Sequence, residues 1–124
     1  MKDIYTKKAP EPIGPYTQAK ESGGYLYCSG QIAIAHETGA FEDGGIEAQT
    51  KRVCENIGEV LKAAGLDFSH VVKTTCFLKN SGDFAAFNET YAQYFTSRPA
   101  RSCVYVAGLP KDALVEVEAV AEIR

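Results

Sequence analysis

From Val115 to Ile123 the chain alternates with a period of two, setting Val115, Val117, Ala119, Ala121 and Ile123 against Glu116, Glu118, Val120 and Glu122. Successive side chains of a strand point to opposite faces of a sheet, so this segment needs an apolar cover on one side only. Arg101–Ala107 alternates in the same way, with Arg101, Cys103 and Tyr105 sharing one face and Val104 and Val106 the other. Gly108-Leu109-Pro110-Lys111-Asp112 separates the two segments, which read as a strand pair closed by a loop. The apolar faces suit covering helices. The opposite faces combine Arg101, Cys103 and Tyr105 with Glu116, Glu118 and Val120, a mixture too apolar for free solvation and too charged for a core. A second subunit, or a pocket between subunits, is its natural cover.

Two helices are available for the covered face. Ile46, Val53, Ile57, Val60, Leu61 and Ala64 fall at helical spacing, and Gly65 stands where a C-terminal cap is expected. Phe84, Phe87, Tyr91, Tyr94 and Phe95 form an aromatic stripe on a second helix, read as core. Each helix has one apolar stripe, so the pair serves one sheet face. Tyr25–Ile34 and the β-branched run Val71–Leu78 read as further strands, and the polar segment His36–Gly45 as a loop. No repeat or linker divides the chain. The expectation is a single α+β domain over residues 1–124.

Composition removes several classes of function. The net charge is −3, and no basic run exceeds two residues, which disfavours nucleic acid as a general partner. Cys28, Cys54, Cys76 and Cys103 form no Cys-x-x-Cys pair and have no metal-ligand spacing to His36 or His70, so no metal site is expected. Cys28, Cys54 and Cys76 read as buried filler, and the two histidines as structural or solvated. Gly23-Gly24 and Gly44-Gly45 read as turns, outside any phosphate-cradling motif. The chain shows no signal core and no membrane-length apolar stretch, and its cysteine usage suits a reducing cytoplasm.

Arg101 carries the clearest chemical signal, a permanent cation at the head of what reads as a buried strand. Its planar fork of donors matches a carboxylate in a bidentate pair. Two roles fit: a clamp for a small carboxylic acid, or a rim arginine that pairs with Glu116 or Glu118 and orders the sheet.

Three groups of segments in order sharpen that choice. They are Ile13-Gly14-Pro15-Tyr16-Thr17-Gln18-Ala19; then Ser29-Gly30-Gln31-Ile32; then Pro99-Ala100-Arg101-Ser102-Cys103-Val104, followed by Leu109-Pro110-Lys111 and Val115–Ala121. With Val72-Lys73-Thr74-Thr75 and Asn88, they closely resemble the reactive intermediate deaminase family, RidA or YjgF, of enamine/imine deaminases. The resemblance runs from about Ala9 to the C-terminus. It implies a chorismate mutase-like mixed β-sheet with two helices packed on one face, and a homotrimer with a site in each inter-subunit cleft. It further implies that Arg101 binds the substrate carboxylate, while Tyr16, Ser29 and Glu116 line the pocket or place water. The main chain at Gly30 and Cys103 is implicated as well, without a nucleophilic role for the Cys103 thiol.

The implied activity is hydrolysis of 2-aminoacrylate and related 2-iminobutanoate- or 2-iminopropanoate-type substrates to 2-keto acids and ammonia. Because the C=N carbon of such an imine is already electrophilic, no cofactor is required and positioning carries most of the rate. The alternative from the same resemblance is a chaperone-like or small-acid-sensing trimer, or a translational inhibitor that cleaves RNA.

Overall fold

Both helices form where the apolar spacing puts them. In the computed structural model, which describes residues 1–124, α1 spans Ile46–Ala63 and buries Val53, Ile57, Val60 and Leu61 completely or nearly so. Gly65 ends it in the left-handed region at φ 76°. There the Gly65 N–H donates to Lys62 O and the Leu66 N–H to Leu61 O, satisfying carbonyls that the helix leaves unpaired. The second helix, α2 (Phe84–Tyr94), buries Phe87 and Tyr91, and Tyr91 stacks on Phe95 with centroids 4.3 Å apart.

Six strands form one sheet: β1 (Lys2–Ile4), β2 (Ala19–Ser22), β3 (Tyr25–Gln31), β4 (Val71–Leu78), β5 (Ala100–Tyr105) and β6 (Val115–Glu122). Their spatial order is β1-β2-β3-β6-β4-β5, with only β4 and β5 parallel. The sheet is therefore mixed, and α2 is the crossover between its parallel pair. Val115, Val117, Ala119 and Ala121 of β6 join one buried cluster with Val53, Ile57 and Leu61 of α1 and Phe87 and Tyr91 of α2. Both helices thus cover the same face. Tyr25, Tyr27 and Val104 remain exposed on the other.

The topology corrects the expected C-terminal strand pair. β5 and β6 are not neighbours, because β4 lies between them and bonds to both. Their connecting segment steps over the end of β4, where the Val106 N–H donates to Leu78 O and the Lys79 N–H to Leu114 O. Period 2 reports which way side chains face; it does not name the partner strand. The expected strand Tyr25–Ile34 also stops at Gln31, beyond which Ile34 makes only an isolated bridge to Phe41. β1 and β2, too short to show a pattern, were not expected.

Three buried amides tie irregular segments to this frame. Asn56 donates to Ile32 O and Ile34 O, and Gln49 Oε1 accepts from the Leu114 N–H. Gln18 accepts from the Thr6 N–H at 2.8 Å and donates to the carbonyls of Thr6, Ala9 and Pro10. Since lost partners leave buried backbone groups unsatisfied, Gln18→Ala is expected to destabilise the chain by about 3 kcal/mol. Urea unfolding checks this, with a lower midpoint and an unchanged slope as the expected result.

Candidate active site

A bulge in β3 builds the first cluster. Cys28 pairs with Ala119 and Gln31 with Val117, so Ser29 and Gly30 together oppose Glu118 alone. The irregularity brings the Gly30 backbone against the Glu116 side chain: a Cβ on residue 30 would lie 2.4 Å from Glu116 Oε2 and 2.9 Å from its carboxyl carbon. Any side chain at residue 30 would have to displace the Glu116 carboxyl. Ser29 Oγ donates to Thr17 O at 2.6 Å, and the Ser29 N–H to Gln18 O at 2.9 Å, which fixes the preceding segment. Tyr16, half exposed, packs over Gly14 and accepts a hydrogen bond from the Ile13 N–H at its hydroxyl. Tyr16 and Gly30 line one small cavity with Ile13, Ile32 and Ile34.

Glu116 is half-buried and forms no salt bridge. Burial, and secondarily the neighbouring Glu118 charge, raises its pKa above the ordinary glutamate value.

Arg101 belongs to a second cluster, on α2 and β5. Nη1 donates to Asn88 Oδ1 at 2.7 Å, the only hydrogen bond of the guanidinium. Its carbon sits 5.0 Å from the Tyr91 ring centroid, 5.8 Å from that of Phe84 and 5.9 Å from that of Phe87. Residues 84, 87, 88 and 91 share one face of α2 at steps of three and four. The aromatic stripe therefore fills the core at Phe87, Tyr91 and Phe95 and also walls in a cation. Within one chain Arg101 pairs with no carboxylate, its own Glu116 and Glu118 included. The guanidinium is half-buried and held by neutral partners, and its Nε and Nη2 make no hydrogen bond within the chain. Burial raises the pKa of the Cys103 thiol beside it, against the opposing effect of Arg101.

The register on β4 settles how the clusters are related. Thr74, Cys76 and Leu78 point into the core and pair with Arg101, Cys103 and Tyr105. Phe77, of opposite parity, pairs with both Glu116 and Val104. Arg101, Cys103 and Tyr105 thus lie on the helix-covered side, and Glu116, Glu118 and Val120 on the open side, contrary to the expected shared face. Val104 also stands on the open side rather than under the helices. β5 is an edge strand and largely exposed, not the buried strand its composition suggests. Alternation sets the phase within each strand, but the relative phase of β5 and β6 is transmitted through β4, far away in sequence.

Other residues keep the structural roles expected of them. His36 pairs with Glu37 at 3.2 Å, and His70 closes a capping box with Asp67. Cys28, Cys54 and Cys76 are buried. Asn88 as partner of Arg101, and Phe84, Phe87 and Tyr91 as its walls, were not anticipated as site residues. The common helix face of positions 84, 87, 88 and 91 was the available signal.

A profile of the endoribonuclease L-PSP family matches residues 6–123. The chain belongs to this family, the RidA/YjgF family. A RutC family protein of Pyrococcus abyssi is 52% identical over 119 residues, covering 95% of this chain and 94% of the relative. Human 2-iminobutanoate/2-iminopropanoate deaminase is 49% identical over 119 residues, covering 95% of this chain and 87% of the human protein. The crystal structure of E. coli TdcF with bound serine superposes with a TM-score of 0.95 at 39% identity and covers 100% of both chains.

Within this RidA/YjgF fold, Glu116 makes a testable contribution to stability. Its carboxyl holds a proton more tightly folded than unfolded, so folding takes up protons between the ordinary value of 4.5 and the raised one. Its contribution to stability is therefore lost as pH rises through that window. Glu116→Gln, which cannot ionise, should gain stability relative to the wild type as pH is raised from about 4.5. Urea midpoints of both proteins across a pH series test the sign, and a difference independent of pH would contradict it.

Proposed function

We propose that this chain hydrolyses small 2-imino acids, formed from enamines such as 2-aminoacrylate, to 2-keto acids and ammonia. The observation that carries the proposal is Arg101: a guanidinium in an aromatic slot, without a counter-charge, has the chemistry of a carboxylate receptor. The name of the human relative and the serine bound to TdcF support a ligand built on a carboxylate with nitrogen on the adjacent carbon. The net charge of −3 favours a small anion over a polynucleotide.

In the proposed reaction Arg101 fixes the substrate carboxylate with its free donors. The enamine tautomerises to the imine, and protonation of the imine nitrogen makes the carbon more electrophilic. Glu116 accepts a proton from water as the oxygen attacks that carbon, giving a carbinolamine. The carboxyl then returns the proton to nitrogen, the C–N bond breaks, ammonia leaves with its electron pair, and the hydroxyl proton passes to the Glu116 carboxylate as the C=O forms. Tyr16, Ser29, Gly30 and the Cys103 main chain shape the pocket. Positioning supplies most of the acceleration.

A site containing both Arg101 and Glu116 requires two copies of the chain, because one copy holds them on opposite sides of its sheet. With the trimer that the family resemblance implies, each site would take Arg101 and Cys103 from one subunit and Tyr16, Ser29, Gly30 and Glu116 from its neighbour. The partly apolar open face carrying Tyr25, Tyr27 and Val120 gives such an assembly a surface to bury.

Two measurements test this. Arg101→Ala should fold yet lose about a hundredfold in kcat/KM, roughly 3 kcal/mol, for ammonia release from enzymatically generated 2-aminoacrylate. Arg101→Lys should recover little of it, since an ammonium cannot form the planar two-bond pair. Wild-type rates in the alanine variant would remove the mechanism. Co-refolding Arg101→Ala with Glu116→Gln chains should restore about a quarter of wild-type activity, the share of shared sites that random mixing repairs. No recovery in a mixture with normal assembly would show that each site draws both residues from one subunit.

A further inference from the structure

Beside the Arg101 guanidinium lies an aromatic pair, Phe84 and Tyr105, of which the reading above uses only Phe84, as a wall of the slot. Tyr105 lies on the same face of β5 as Arg101 and Cys103, and its ring meets Phe84 edge-on, with centroids 6.5 Å apart at 80°. Phe84 is shared: it borders the guanidinium on one side and Tyr105 on the other. Neither ring completes the core, since Tyr105 is 52% exposed and Phe84 36%. Phe87 and Tyr91, by contrast, are buried behind the guanidinium. The slot therefore has a closed inner wall and an accessible outer one.

We propose that Phe84 and Tyr105 form a side-chain subsite that favours 2-imino acids with aromatic or branched apolar side chains over those with a hydrogen or methyl group. The inference rests on the carboxylate-clamp reading of Arg101. A carboxylate on the free donors leaves the substrate's α-carbon one bond away, and the exposed apolar surface beside the guanidinium is that of Phe84, whose ring centroid lies 5.8 Å from the guanidinium carbon. A phenyl or isobutyl group there removes apolar surface from water and meets an edge-and-face aromatic surface. A methyl group reaches too little of it to gain. Because the wall is only partly enclosed, the expected discrimination is about tenfold, at the modest end of what apolar pockets achieve.

The product keto acids serve as stable probes. In calorimetric titrations, phenylpyruvate and 4-methyl-2-oxopentanoate should bind wild type about tenfold more tightly than pyruvate, and Tyr105→Ser should bring that ratio close to one. Phe84→Leu, which keeps apolar bulk at the start of α2, should reduce the preference for phenylpyruvate and retain part of that for 4-methyl-2-oxopentanoate. The kcat/KM values for imino acids made by an amino-acid oxidase from phenylalanine, leucine and alanine should follow the same order. Equal binding of the three keto acids by wild type, or an unchanged ratio in Tyr105→Ser, overturns the subsite. If the binding ratio behaves as expected but no imino acid is hydrolysed faster than in buffer, the subsite stands and the deaminase reading falls. Light scattering on the same samples completes the test, because dissociation of Tyr105→Ser with equal loss of all three ligands would assign the ring to a subunit contact and overturn the proposal.

Discussion

β6 is the strand on which the rest depends. It bonds to β3 on one side and β4 on the other, so it joins the antiparallel N-terminal strands to the parallel β4–β5 unit. Its even alternation gives the two faces different duties. Val115, Val117, Ala119 and Ala121 anchor both helices, while Glu116 meets the β3 bulge across the open face. The same hydrogen-bond ladder that builds the core therefore aims the carboxyl. Shifting β6 by one residue would bury its glutamates and expose its valines, so packing protects the register that the site needs.

Arg101 shows how a cation is kept half-buried without a counter-ion. Removing a guanidinium from water is costly, and a carboxylate partner would offset the cost but occupy the donors. Asn88 and the rings of Phe84, Phe87 and Tyr91 offset part of it with a neutral acceptor and π-faces, leaving donors unspent. Glu116 is the complement, a carboxyl without a cation, held against Gly30 and inclined to keep its proton. Within one chain the sheet stands between the two groups and keeps them apart.

Local chemistry was legible wherever neighbours in sequence decide the outcome. The extent of α1, its stop at Gly65 and the course of α2 follow from spacing and from one residue that tolerates positive φ. Tyr16, Ser29, Gly30, Cys103 and Glu116 entered as expected site residues through the family resemblance of the motif segments, and Arg101 through its charge at the head of a strand as well. Missing from that reading were β1 and β2, whose three and four residues are too few to show a period. The Gly30–Glu116 contact was also invisible, because it joins a bulge to a strand eighty-six positions later.

The sequence by itself determined which side chains share a face within each strand, which stretches wind into helices, and which residues have the chemistry to bind a small acid. Those properties depend on covalent geometry and on interactions a few residues apart. Only the tertiary structure decided that β4 enters between β5 and β6, and with it that Arg101 and Glu116 stand on opposite sides of the sheet. The reason is physical: strand pairing is a contest among distant segments for the same hydrogen-bonding edges, and its outcome depends on how well each arrangement buries the whole apolar surface.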